Sequence, residues 1–227
     1  MKIRRELDQV LNRLQDDLVK MQGLVIESLQ DAISSLKNQN IDLAEQVVQG
    51  DEAINVLRYE IEHFCVDAIA TQQPVASDLR IIMAALHIAV ELERMGDHAA
   101  GVAKATLKIG DEPLIKPLID LPRMSMIAIE MSRSALEAFF ERDKDGAEAV
   151  VGRDDEVDDL YDQILRELLT YMIEDPKKIR QGTQLLWAAH AVERIADRAT
   201  NIAERVIFVQ TGEMEDLTSE STEIREP

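Results

Sequence analysis

The chain has 227 residues, of which 46% are hydrophobic and 4% aromatic, and its formal net charge is −19. This length allows a sizeable buried core, and the negative charge, which would repel a phosphate backbone, argues against binding of DNA or RNA. A single cysteine, Cys65, excludes an internal disulfide and is expected to be a buried apolar side chain in a reducing compartment.

The first half of the chain carries three helical patterns. Apolar residues recur at alternating steps of three and four from Leu7 to Leu36, which predicts a helix over about residues 4–36. A second pattern, around Ile54, ends near "TQQP". A third helix is expected over Ser77–Ile109, with Ser77 or Asp78 as its cap.

The stretch "IGDEPLIKPLIDLP" separates these helices from three further patterns. Proline cannot donate the backbone hydrogen bond of a helix, so this stretch is the expected boundary between two halves. A fourth helix should run to about Glu141, "RDKDG" should form a turn, and a fifth helix should reach Glu174. Asp175 is the expected N-cap of a sixth helix, which has Pro176 at its first position and ends near Thr211.

The two halves share sequence features. "DEAINVL" from Asp51 resembles "DDEVDDL" from Asp154, 103 positions later, and "ERMGDHA" from Glu93 resembles "ERIADRA" from Glu193, 100 positions later. Such self-similarity indicates a duplicated architecture. We therefore expect an all-α fold of two tandem, similar three-helix bundles with six long helices. The expected bundles are residues 1–112 and 113–212, followed by a loose acidic tail, 213–227.

Each half also repeats pairs of acidic or amide residues four positions apart. Residues at this spacing lie one turn apart on the same helix face, so each pair directs two side chains the same way. The last two helices of each half both contribute a pair, and small residues such as Gly96 would let these helices approach closely. The eight residues are Asp51, Asn55, Glu93, Asp97, Asp154, Asp158, Glu193 and Asp197.

Facing helices that project carboxylates at one level form an oxygen-rich site for a hard or borderline cation. The alternative interpretation is a solvated acidic face, because Arg94, Arg194 and Arg198 lie nearby and an acidic chain contains such pairs by chance. The repetition at matching positions favours a divalent or trivalent metal, which could be iron, zinc, manganese, magnesium or calcium.

The two "ERxxD" signatures, the "DExIN" and "DDEVDDL" segments and "DRATNIAE" from Asp197 resemble the PhoU family of bacterial phosphate-uptake regulators, over about residues 1–212. The resemblance implies two similar three-helix bundles, metal bound by repeated E/D-x-x-x-D motifs, and cytoplasmic homodimers. It implies a protein that is not an enzyme and that negatively regulates phosphate-responsive signalling. The implied partners are the ATPase of the high-affinity phosphate transporter and a membrane sensor histidine kinase. Asn201, which belongs to the family pattern, is added to the eight expected metal ligands.

Both halves depart from the family pattern at some positions. Asn55 stands where the second half has an acid, and Gly101 stands where the second half has Asn201. The second half has Arg198 in place of the family's histidine, which the first half keeps as His98. Because an amide oxygen carries no charge to offset a cation, we expect weaker metal binding in the first half.

Two other function classes use helical proteins of this kind. A diiron carboxylate enzyme needs Glu-x-x-His on each of two helices, but here only His63 follows a glutamate, Glu60, at that spacing. A metal-independent helical scaffold or adaptor remains the alternative. No apolar stretch reaches the about 18 residues that span a bilayer, so direct membrane insertion is not expected.

The sequence also predicts the surroundings of several single residues. His63 is expected on a helix surface, and His98 as a peripheral metal ligand or a polar helix residue. Trp187 is expected to anchor the second bundle. The methionines of the fourth helix are expected in the core or, alternatively, on an adaptable partner surface; they are Met124, Met126 and Met131.

Overall fold

The computed structural model describes residues 2–213, with side chains from Glu6 onward. Six long α-helices dominate this part of the chain, which confirms the predicted all-α tandem bundles. The elements in chain order are α1 (Lys2–Asn38), α2 (Ile41–Gln72), α3 (Ser77–Ile109), α4 (Asp120–Glu141), α5 (Lys144–Val151), α6 (Asp154–Glu174), a 3-10 turn (Pro176–Lys178) and α7 (Ile179–Thr211). The predicted tail lies outside the described residues from position 214 onward.

Helices α1, α2 and α3 pack against one another as the first bundle. The apolar seam predicted along α1 is buried, since Leu18 and Met21 are both 0% exposed. Cys65 on α2 is also 0% exposed, as predicted. The side chain of Asn40 caps α2 by accepting a hydrogen bond from the backbone N–H of Leu43 at 3.0 Å.

The cap predicted for α3 was wrong. The N-cap is Ala76, which makes no side-chain capping bond, and Ser77 and Asp78 are the first two helical residues. The φ angles are 49° at Gln73 and 47° at Ala76, so the chain turns through two positive-φ residues just before the helix begins. This backbone turn takes the position at which the sequence suggested a side-chain cap.

The proline-rich connection between the halves is held by two glutamine side chains. Gln39 donates from Nε2 to the carbonyl of Gly110 at 3.1 Å. The buried Gln181 accepts a hydrogen bond from the backbone N–H of Ile115 at 2.6 Å. Because these glutamines come from the end of α1 and from α7, the connection is fixed to both halves.

Helices α4, α6 and α7 form the second bundle, and the short α5 packs on α4 and α7. The single fifth helix that we predicted was wrong, because the chain breaks at Gly152 and Arg153. The first turn of α6 then carries three acidic residues, where the helix dipole favours negative charge.

The predicted cap at the start of the last long helix is confirmed in a modified form. Asp175 accepts a hydrogen bond from the backbone N–H of Lys177 at 3.1 Å, and Pro176 begins the 3-10 turn that leads into α7. The missing N–H of proline costs nothing at this position.

The two bundles pack through α3 and α7, which share the most extensive contact between any two elements. Both helices bury many alanines, whose small side chains let helix axes approach closely. One hydrophobic core continues through both halves of the described chain. No helix within residues 2–213 combines the length and the apolar character needed to cross a lipid bilayer.

The predictions for large apolar side chains on α4 and α7 were partly correct. Trp187 is 65% exposed, so its prediction as an anchor was wrong; Leu185, at 2% exposure, fills the core from the same turn. Met124 and Met131 are buried core residues at 0% exposure, whereas Met126 is 61% exposed.

Candidate functional site

The first candidate site lies where α2 meets α3. Gly96 allows the close approach of these helices, since a Cβ atom at this position would lie 2.9 Å from Cδ1 of Ile54 and 3.4 Å from Oδ1 of Asp51. Four of the predicted ligands meet here, and we call them the α2–α3 acidic cluster: Asp51, Asn55, Glu93 and Asp97.

Burial and mutual repulsion both raise pKa values in the α2–α3 acidic cluster. Burial, followed by the charge of Asp97, raises the pKa of Asp51, and the same two causes raise the pKa of Glu93. Asn55 donates from Nδ2 to Oδ2 of Asp51 at 3.2 Å, while Oδ1 of Asp51 is buried without a hydrogen-bond partner in the described part of the chain. Arg58 and Arg94 lower the pKa of Glu93 and Lys104 lowers that of Asp51, but burial and repulsion outweigh these basic side chains.

The second candidate site is the equivalent position between α6 and α7. Ala196, which replaces Gly96 of the first half, is 0% exposed. Four predicted ligands again meet, and we call them the α6–α7 acidic cluster: Asp154, Asp158, Glu193 and Asp197. The two halves thus place matching acidic side chains between matching helices.

Burial and repulsion raise pKa values further in the α6–α7 acidic cluster. Burial and then the charges of Asp197 and Asp158 raise the pKa of Asp154 to about 7. Burial and then Asp197 raise the pKa of Glu193 to about 7. Oδ1 of Asp154 is buried and has no hydrogen-bond partner among the residues described, as is true of Asp51 in the first half.

Two basic side chains border the α6–α7 acidic cluster. Arg194 forms an ion pair with Asp197 on the same helix. Nδ1 of His190 lies 3.1 Å from Oε2 of Glu193, a contact that is ionic only when the histidine is protonated. Burial still raises the pKa of Asp197, although Arg194, Arg198 and His190 lower it.

Asn201, the ninth predicted ligand, lies in a different contact. Its Nδ2 donates to Oε2 of Glu91 on α3 at 3.1 Å, and Arg198 approaches the same oxygen at 3.3 Å. Glu91 is also paired with Arg94 at 3.7 Å. These side chains join α3 to α7 between the bundles. Sequence reasoning missed Glu91, because nothing in α3 alone indicates which residue of α7 it will meet.

The donor chemistry of both clusters suits a hard cation, which prefers carboxylate and amide oxygens. The buried and unpartnered Oδ1 atoms of Asp51 and Asp154 supply one such donor in each half. Within the described residues, however, no group of three or more His, Cys, Asp or Glu side chains is already arranged to hold a metal ion. A bound cation would therefore require side-chain rotation that draws the oxygens together.

The two singled-out histidines lie outside the acidic clusters. His63 is exposed on α2, as predicted. His98 lies half-buried on α3, where burial and then Arg198 and Arg194 lower its pKa. His98 and Trp187 line a groove of about 380 Å³ beside α7, next to His190.

Comparison with known proteins gives one consistent result. The family model described as the PhoU domain matches residues 18–106 and again 121–206. The phosphate-specific transport system accessory protein PhoU homolog of Aquifex aeolicus (strain VF5) is 40% identical over 214 residues, covering 94% of this chain and 95% of that protein. The phosphate-specific transport system accessory protein PhoU of Escherichia coli (strain K12) is 36% identical over 203 residues, covering 89% and 84%.

The solved structures that resemble this chain are also PhoU proteins. The crystal structure of PhoU from Pseudomonas aeruginosa has a TM-score of 0.85 and 36% identity, covering 91% of this chain and 99% of that chain. The phosphate transport system regulatory protein PhoU from Streptococcus pneumoniae has a TM-score of 0.85 and 31% identity, covering 92% and 99%.

Proposed function

Because this chain belongs to the PhoU family, we propose that it regulates phosphate uptake and phosphate-responsive signalling through contacts with other proteins. Members of this family are accessory proteins of phosphate transport with a regulatory role, and the chain is not an enzyme. The observation that carries the finer proposal is the pair of equivalent acidic clusters in a duplicated fold.

Each cluster is proposed to bind metal. Asp51, Glu93 and Asp97 would supply carboxylate oxygens in the first half, and Asn55 would supply an amide oxygen. Four carboxylates would do so in the second half, which supports tighter binding there. Asn201, one turn beyond Asp197 on α7, stays a proposed ligand through its Oδ1, because its contact with Glu91 uses Nδ2. A bound iron, zinc, manganese, magnesium or calcium ion would offset the carboxylate charge that the neighbouring basic side chains leave unbalanced.

The chain's own residues determine what such binding would change. Glu93 and Asp97 are on α3, Glu193 and Asp197 are on α7, and these two helices pack on each other. Relief of repulsion at either cluster therefore acts on a helix of the interface between the bundles. This arrangement supports a regulator whose partner-binding surface depends on the state of both halves.

The proposed partners are the ATPase of the phosphate transporter and a membrane sensor histidine kinase, which a cytoplasmic homodimer would restrain. The relatives support the transporter as a partner, since they are named as accessory proteins of the phosphate-specific transport system. The net charge of −19 favours basic surfaces on both partners.

A reporter experiment in the host tests this function. Deletion of the gene should cause expression of alkaline phosphatase in abundant phosphate, and the wild-type chain should restore repression. A variant with Glu93→Ala, Asp97→Ala, Glu193→Ala and Asp197→Ala should fail to restore it at equal abundance. The matched control is Glu137→Ala with Glu141→Ala, an exposed acidic pair at the same spacing on α4. Unchanged expression after deletion would refute the regulatory proposal.

A metal-independent adaptor is the second candidate function. The ion pair between Arg194 and Asp197 favours it, because this pair already neutralises one carboxylate of the second cluster. Full repression by the fourfold variant in the same reporter strain would support the adaptor and exclude a role for the clusters.

A further inference from the structure

A row of exposed residues on α2 has the spacing of a seam between helices. Val56, Tyr59, His63 and Val66 follow one another at steps of three, four and three, so they share one face of the helix. Val56 is 47% exposed, and Tyr59 and Val66 are each 56% exposed. We call these four residues the α2 stripe.

The duplicated half provides an internal comparison. At the offset of 103 positions that relates Asp51 to Asp154, the α6 equivalents of the stripe are Asp159, Asp162, Arg166 and Leu169. Three of these four are charged, as expected for a face in contact with water. The same face of the same element is thus charged in one half and largely apolar in the other, so simple solvation does not explain the α2 stripe.

Carboxylates border the α2 stripe on both sides. By helical geometry, Glu60 and Asp67 lie along one edge, and Glu62 lies along the other. Neither Glu60 nor Asp67 forms an ion pair within residues 6–213, while Glu62 pairs with Arg58 at 3.2 Å. The surface is therefore an apolar row with acidic residues on both edges, and Arg58, which pairs with Glu62, stacks 4.6 Å from the ring centre of Tyr59.

The acidic charge of these edges indicates which kind of partner can bind the α2 stripe. A second copy of α2 would bring acidic edges against acidic edges, and an anionic lipid surface would be repelled in the same way. We propose that the α2 stripe binds an amphipathic helix of another protein, with an apolar seam flanked by lysine and arginine. The seam would cover Val56, Tyr59 and Val66, and the basic residues would face the acidic edges. This inference goes beyond the proposed function, because it requires neither bound metal nor a named partner.

Fluorescence anisotropy with two synthetic peptides tests the inference. Both are helices of about 18 residues, or five turns, with the same composition. One has a leucine seam flanked by lysine and arginine, and the other has the same residues scrambled so that no seam exists. The wild-type chain should bind the seam peptide about tenfold more tightly than the scrambled one, because burial of one or two apolar side chains supplies that difference.

Matched variants locate the binding surface. Val56→Asp with Tyr59→Asp gives α2 the residues that α6 carries at the equivalent positions, and it should abolish the preference for the seam peptide. Leu169→Asp changes an exposed apolar residue of α6 and should retain the preference. Circular dichroism and thermal unfolding should show both variants folded as the wild type is, since all three residues are exposed.

Two outcomes would overturn the proposal. One is equal affinity for both peptides, or an unchanged preference in the Val56→Asp, Tyr59→Asp variant. The other is dissociation of a dimer by that variant in sedimentation equilibrium while the wild type shows no peptide preference, which would assign the stripe to a second copy of the chain.

Discussion

At the level of single residues, Asp51 and Asp154 are the most informative positions. They are equivalent in the two halves, and each has one carboxylate oxygen buried without a hydrogen-bond partner in the described structure. A buried oxygen without a hydrogen-bond partner lowers the free energy of unfolding, so the stability of the metal-free fold does not explain either aspartate. Their presence is explained if each half binds a cation.

The pKa of Asp154 leads to a pH-dependent prediction. Burial and the charge of Asp197 raise it from 3.8 to about 7, so the folded chain holds this proton more tightly than the unfolded chain does. The stability that protonation contributes is fully present below about pH 4 and is lost as the pH rises through about 7. Asp154→Asn should therefore stabilise the metal-free protein near pH 8 and have little effect near pH 4.

The expected gain near pH 8 is about 1 kcal/mol after allowance for solvent screening, or about 2–4 °C in Tm. Thermal unfolding with EDTA at the two pH values measures it. Asp159→Asn, at an exposed position of the same helix, is the control. An effect of Asp154→Asn that is the same at both pH values would contradict the raised pKa of Asp154.

The site could be predicted from the sequence to the extent that it depends on one helix at a time. The i, i+4 spacing places Glu93 with Asp97 on one face, and the duplication identifies their partners on the preceding helices. The position of Asn201 could not be obtained this way, because its contact with Glu91 depends on how α7 lies against α3. The charge states of Asp154 and Glu193 likewise depend on burial, which only the packed structure reveals.

Among the helices, those with regular apolar seams were predicted well. The apolar seam of α1 predicted the extent of this helix, because an unbroken apolar row along one face is typical of a continuous helix. The division between α5 and α6 was missed, although Gly152 followed closely by acidic residues is a signal for the end of one helix and the start of another. The turn at Ala76 carries no such signal, since positive φ at alanine arises from the surrounding structure.

The contact of α2 with α3 depends on Gly96. A Cβ atom there would already lie 2.9 Å from Ile54, which is 2% exposed and has little room to move. Gly96→Leu should therefore separate the helices and reduce the free energy of unfolding by about 2 kcal/mol in urea. The control is Gly23→Leu, because a Cβ atom at Gly23 meets nothing within 4 Å. Equal effects of the two substitutions would contradict a tight contact at Gly96.

The contact of α3 with α7 depends on Glu91. Glu91→Ala removes the shared acceptor of Arg198 and Asn201, where the side chains of Glu91 and Arg198 are each 15% exposed. We expect a loss of about 2 kcal/mol in chemical denaturation, because a largely buried arginine is left without its partner. Glu130→Ala breaks the ion pair with Arg153, in which Glu130 is 55% exposed, and should cost less than about 1 kcal/mol. A smaller loss for Glu91→Ala than for Glu130→Ala would refute this role.

At the level of the whole molecule, the duplication places two repulsive clusters in one continuous structure. Helices α3 and α7 each contribute two acidic residues to a cluster and also pack on each other through the core. The net charge of −19 adds to the cost of keeping these carboxylates together. Metal binding in each half would remove this cost where it is greatest.

Elemental analysis of the protein purified without chelator tests whether the two acidic clusters bind metal. The wild-type chain and the Glu137→Ala, Glu141→Ala control should retain the same metal content. The variant with Glu93→Ala, Asp97→Ala, Glu193→Ala and Asp197→Ala should lose that metal while its circular dichroism stays helical. Equal metal content in all three proteins would contradict the assignment of the clusters as the metal sites.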